Sequence, residues 1–301
     1  MKIDLEKIRQ TARFDLLAKQ LVEGFITGLH KSPYHGFSVE FAEHKSYNTG
    51  ESTKNIDWKV FARTDKLFTK RYEEETNLRC NILIDNSSSM YYPTHNLGKI
   101  TFSILCAASL AYLLQKQRDA VGITTFTDEV EYQSQIKSTS SHLHKLFIHL
   151  EKMLHENQLN KRTSIPNVLH TIARKIHKRS LVIIFSDMFD NIDNVNELLT
   201  ALHHLKHNHH EVLLVHVTDK STEKDFDFED RPYEFIDLET GDKIKVNPYE
   251  VKSNYVKDLG TFYHDIKLKC NQFKIDFIEA DISEDFDKVL TSYLIKRSKL
   301  K

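Results

Sequence analysis

The stretch Cys80-Asn-Ile-Leu-Ile-Asp-Asn-Ser-Ser-Ser-Met90 carries a short, β-rich apolar run straight into Asp85, Ser87 and Ser89. A run of this length reads as a buried strand. The pattern Asp-x-Ser-x-Ser then sets a carboxylate and hydroxyls just beyond the strand end. Hard cations such as Mg²⁺ take oxygen ligands in near-octahedral geometry and keep some waters. Carboxylates mixed with neutral hydroxyls therefore hold the ion while leaving its charge only partly neutralised. An ion held in that way can still accept a carboxylate from another protein. The same string also suits a turn whose side chains cap a following helix, so the reading depends on the rest of the chain.

Outward from that stretch, strands and helices alternate. Cys80 to Ile84, Ala120 to Phe126, Leu181 to Phe185, Val212 to Val217 and Ile275 to Ile278 are β-rich. Leu97–Gln115, Ser141–His155, Ile165–His177, Val195–His207 and Asn247–Cys270 read as helices. This rhythm predicts a mostly parallel sheet covered on both faces, a doubly wound, Rossmann-like α/β architecture. Val130 to Ile136 is a candidate antiparallel edge strand. Thr163, in Lys161-Arg-Thr-Ser-Ile-Pro166, and Asp187, which ends Leu181-Val-Ile-Ile-Phe-Ser-Asp187, fall where loops leave the carboxyl ends of strands. Open α/β sheets bind ligands at such ends.

With Asp85, Ser87 and Ser89 in a first loop, Thr163 in a second and Asp187 in a third, the chain resembles the von Willebrand factor type A domain and its metal-ion-dependent adhesion site. The resemblance implies that fold, with Mg²⁺, or another divalent cation such as Mn²⁺ or Ca²⁺, at those five residues. A narrower likeness lies in His35-Gly-Phe-Ser-Val-Glu-Phe41, Tyr47-Asn-Thr-Gly-Glu51, Asn55-Ile-Asp-Trp-Lys59, Ala62-Arg-Thr64 and Lys70-Arg-Tyr-Glu-Glu-Glu75. Together these blocks are similar to the bacterial family called domain of unknown function 58. That resemblance implies a MoxR-type AAA+ ATPase as partner, in a chaperone-like role. The chain departs from the family pattern at Glu51-Ser52, at Lys54-Asn55 and at Arg162, where a small residue is usual.

Two regions are expected: residues 1–77, an N-terminal helix with a small short-strand α+β subdomain, and residues 78–301, the type A-like domain with a hairpin insertion at about 225–250. In the first region an amphipathic helix spans Leu5 to about Gly28, and short strands lie near Phe37 to Phe41 and Leu67 to Tyr72. Trp58 reads as an anchor packing this region on the sheet, with Asp57 and Arg63 paired across it. In the second, Tyr233 to Val246 alternates about Thr240-Gly241-Asp242, a hairpin signal, and the acidic run Glu223 to Asp230 reads as a solvated linker.

Composition narrows the function. Among 301 residues, 40% are hydrophobic and the formal net charge is -1, so there is material for a core and no electrostatic footprint for nucleic acid. Cys80, Cys106 and Cys270 lie in or beside apolar segments, which suggests a reducing compartment. With no apolar leader after Met1, and no span longer than Ile100 to Leu114, the expected location is the cytoplasm, without a membrane span. Phosphate-cradling, dinucleotide, nucleophile-elbow and zinc-protease motifs are absent, so the chain is expected not to be an enzyme. The enzymatic alternative is a Mg²⁺-dependent phosphohydrolase built on Asp85 and Asp187. That chemistry wants a second carboxylate near the nucleophile, where Ser87 stands. A third alternative is a metal-independent scaffold using the N-terminal region and the hairpin. His203 and His207 share a helix face, but the histidines there read as a polar helix end.

Overall fold

The computed structural model describes residues 14–29, 44–46, 58–70, 78–93, 98–155, 164–188, 195–284 and 287–299. The chain divides into two compact units, Met1–Phe25 with Leu78–Lys301, and Ile26–Asn77. Helix α1 (Phe14–Leu29) buries Ala18, Leu21 and Val22, the i, i+3, i+4 stripe of an amphipathic helix.

In the smaller unit, β1 (His44–Ser46) pairs antiparallel with β2 (Phe68–Lys70), and α2 (Trp58–Thr64) lies between them in sequence. The expected strand at 37–41, Asp57 and the first residues of the expected N-terminal helix fall outside the described residues. Trp58 is 62% exposed and meets Phe61 edge-on, at 6.1 Å between ring centroids.

The larger unit is built on β3 (Arg79–Asp85), α3 (Gly98–Lys116), β4 (Ala120–Phe126), β5 (Val130–Gln133), α4 (Ser140–His155), α5 (Ile165–Lys175), β6 (Leu181–Ser186), α6 (Val195–His207) and β7 (Glu211–Thr218). After these come β8 (Tyr233–Ile236), β9 (Lys243–Val246), α7 (Pro248–Gln272), β10 (Asp276–Asp281) and α8 (Asp287–Lys299). Six strands form one sheet in the order β10-β7-β6-β3-β4-β5. All pairings are parallel except β4 with β5, the antiparallel edge strand foreseen in the sequence.

The central strands are mostly apolar because both of their faces are covered. Leu83, Val182, Ile184, Val212 and Leu214 share one core with residues of α5, α6 and α7. Against the sheet and on α4 and α8 packs α3, buried along almost its whole length. By length and composition α3 could cross a membrane, but 83% of that window is buried inside the molecule. Fully burying a Leu or Ile is worth roughly 1.5–3 kcal/mol, so these two apolar layers dominate the stability of the unit.

Outside the main sheet, β8 and β9 form the expected antiparallel hairpin, from Tyr233↔Val246 to Ile236↔Lys243. The segment before it is not a solvated linker. Lys220–Lys224 forms a single π-helical turn whose Glu223 is buried, and Phe226 packs among Phe228, Phe235 and Tyr255.

Candidate metal centre

Counted along the chain, the strands lie in the order 3-2-1-4-5-6 across the sheet. Crossovers leave β3 toward β4 on one side and reach β6 on the other, so the switch point lies between β3 and β6. Their register pairs Leu83 with Ile184 and Ile84 with Phe185, which brings the carboxyl-terminal residues Asp85 and Ser186 level. The Ser186 hydroxyl donates to Asp85 Oδ2 at 2.7 Å. The Ser87 backbone N–H donates to Asp85 Oδ1 at 3.0 Å, and the Ser87 and Ser89 hydroxyls share a hydrogen bond of 3.0 Å. Asp85, Ser87 and Asp187 are all buried. The Asn86 side chain fixes the loop from outside, donating to Glu131 and accepting from the Tyr91 hydroxyl.

Four of the five expected ligands, Asp85, Ser87, Ser89 and Asp187, thus emerge at or just past the ends of β3 and β6. Thr163 lies outside the described residues, as does Arg162. Its neighbour Ser164 does not: the Ser164 N–H donates to the Thr127 carbonyl, just beyond β4.

The centre holds residues that the sequence reading did not assign. Lys99, in the first turn of α3, is buried and places Nζ 2.7 Å from Asp187 Oδ2. Its other carboxylate partner is Glu223, on the π-helical turn. The second Glu223 oxygen accepts from the Thr218 hydroxyl at 3.1 Å and the Asp219 N–H at 2.9 Å. His216 Nε2, on β7, donates to the Asp187 carbonyl at 3.1 Å. The available signal for Lys99 was a lone cation opening an otherwise apolar helix.

Electrostatics follow from the burial. Desolvation, and then the negative charge of Asp187, push Asp85 up to about 7 against the hydrogen bonds from Ser186 and Ser87. Burial alone would lower Lys99, but the Asp187 and Glu223 carboxylates hold it above its ordinary value. Burial raises Glu223, and Lys99 opposes that rise. His216 is pushed down to about 4 by burial, so it sits in the core as a neutral ring.

Among the described residues no group of three or more His, Cys, Asp or Glu side chains is gathered as a metal site. The centre instead sets two carboxylates among serine hydroxyls, a hard-oxygen donor set. The repulsion between Asp85 and Asp187 in a buried site is an imbalance that a divalent cation would relieve. Elsewhere, the histidine pair that forms is not His203 with His207. It is His170 with His204, Nδ1 to Nδ1 at 3.0 Å, while His203 packs on Phe273.

Residues 43–259 match the family described as protein of unknown function DUF58. The chain belongs to that family. Uncharacterized proteins of Mycobacterium tuberculosis and Mycobacterium bovis share 22% identity with this DUF58 chain over 218 residues, 72% of its length and 67% of theirs. Among solved structures, BatB of Bacteroides thetaiotaomicron is 14% identical, covering 74% of this chain and 99% of its own, with a TM-score of 0.44. The VWA domain of SpRpn10 is 12% identical, covering 71% and 94% respectively, with a TM-score of 0.38. The DUF58 chain has the von Willebrand factor type A-like arrangement in its own strand order: a parallel sheet with one antiparallel edge strand and helices on both faces.

Proposed function

We propose that this DUF58 protein is a non-enzymatic, Mg²⁺-dependent protein-interaction module. Asp85, Ser87, Ser89, Thr163 and Asp187 hold the ion, and an acidic residue of the partner completes its coordination. The observation that carries this reading is the buried convergence of Asp85 and Asp187 with serine hydroxyls at the sheet's switch point, where the Asp187 charge adds to the cost of ionising the buried Asp85. The hydroxyls contribute neutral oxygens, so the bound ion keeps charge to offer to a partner. The partner in this reading is a MoxR-type AAA+ ATPase, as the sequence resemblance implies. Three buried free cysteines fit a reducing, cytoplasmic setting.

The ion pair of Lys99 with Asp187 favours a second reading, a metal-independent scaffold whose centre is neutralised from within. Affinity capture from the native cell with Mg²⁺ or with EDTA, using wild type and Asp85→Ala, separates the two. Capture of a MoxR-type ATPase that is lost in EDTA and lost in Asp85→Ala supports the adhesion reading. Capture indifferent to both supports the scaffold.

A further inference from the structure

Lys99 is placed where a second cation would repel it. Its ammonium, 1% exposed at the side chain, lies 2.7 Å from Asp187, a candidate ligand, and also bonds Glu223. Burying an ammonium costs several kcal/mol unless it is closely paired, and here both partners are carboxylates from distant loops. Asp85, Asp187 and Glu223 in ionised form would carry three negative charges against the single positive charge of Lys99. The formal balance of -2 is equal in size and opposite in sign to the charge of one divalent cation. Removing the lysine leaves -3, an excess that the dry interior resists when no ion is bound.

We propose that Lys99 is a resident counter-ion of this centre: it keeps the ion-free state folded and weakens the hold on a divalent cation by sharing Asp187 with it. The inference rests on the metal reading above. Lys99 acts on the ion through Asp187, as a positioning residue. Glu223, braced by Thr218 and the Asp219 N–H, is the other anchor that keeps the ammonium in place. Occupancy is then reversible: the ion competes with a charge already inside the protein, and the empty centre does not have to unfold.

The test is direct Mn²⁺ binding by isothermal calorimetry and by the loss of free-ion electron paramagnetic resonance signal, together with thermal melting in EDTA. It uses the full chain as wild type, Lys99→Met and Lys99→Arg. Lys99→Met is expected to melt lower than wild type in EDTA, to gain more from added Mn²⁺, and to bind Mn²⁺ about tenfold tighter or more. Lys99→Arg, which keeps the charge, is expected to stay near wild type in affinity. Should Lys99→Met not fold, Lys99→Met/Glu223→Gln removes one charge of each sign and keeps the balance; it is expected to fold and to bind Mn²⁺ more tightly than wild type. Wild-type binding with unchanged or weaker affinity in Lys99→Met, or in Lys99→Met/Glu223→Gln where the single variant does not fold, overturns the counter-ion role and leaves the metal reading standing. No Mn²⁺ binding by wild type overturns both.

Discussion

The Ser186 hydroxyl donates to Asp85 Oδ2 at 2.7 Å, joining the ends of neighbouring strands 101 residues apart in sequence. The bond sits where the strand order reverses and partly offsets the burial of the Asp85 carboxylate. A hydrogen bond to a charged group contributes about 1.5–3 kcal/mol. Ser186→Ala is expected to lose stability of that order in EDTA at pH 8, read from urea unfolding, and to recover part of it when Mg²⁺ is added. Equal stability of variant and wild type in EDTA would show that the bond does not brace the centre.

Asp85 and His216 oppose each other in their pH dependence. The folded-state value of Asp85, about 7, lies above its ordinary 3.8, so the folded protein binds more protons between these values and stability falls as pH rises through that window. His216, at about 4 against an ordinary 6.5, behaves in reverse: the unfolded chain binds more protons, and stability rises with pH up to about 6.5. Each contribution is on the order of 3–4 kcal/mol, so the ion-free wild type is expected to show a shallow profile between pH 4.5 and 7. Asp85→Asn should unmask a rise with pH, and His216→Gln a fall. Parallel profiles for all three proteins in EDTA would contradict this balance.

Gly98, immediately before Lys99, has φ +75°, and a Cβ there would come within 2.7 Å of the Tyr91 carbonyl carbon. Both the left-handed backbone and the close approach favour glycine. Gly98→Ala is expected to cost roughly 1–3 kcal/mol or more and to lower the melting temperature by several degrees. A melting temperature equal to wild type would mean that the 91–98 contact yields readily.

Much of the architecture is legible in the sequence because strands buried on both faces leave unbroken apolar runs, as in Leu181 to Phe185, and the intervening helices carry their own period. The C-terminal helix Asp287–Lys299 escaped: its buried Val289, Leu290, Tyr293 and Leu294 are diluted by polar neighbours. At the centre, Asp85, Ser87, Ser89 and Asp187 were legible because each closes or follows an apolar run. Lys99 was not, because a lysine in a helix's first turn resembles any solvated cation, and its partners lie 88 and 124 residues away. For the same reason Glu223 disappeared into an acidic stretch. Its burial and its bonds to Lys99, Thr218 and the Asp219 N–H distinguish it from the exposed acids that follow, such as Glu229.

The central claim is that these oxygen-bearing side chains bind one divalent ion. Equilibrium Mn²⁺ titration of the purified wild type, Asp85→Asn and Asp187→Asn, followed by electron paramagnetic resonance, tests it most directly. The account requires saturable binding of one ion per chain in wild type, displaced by Mg²⁺ and lost in both variants. Absence of saturable binding in wild type, or undiminished binding in Asp85→Asn, would contradict it.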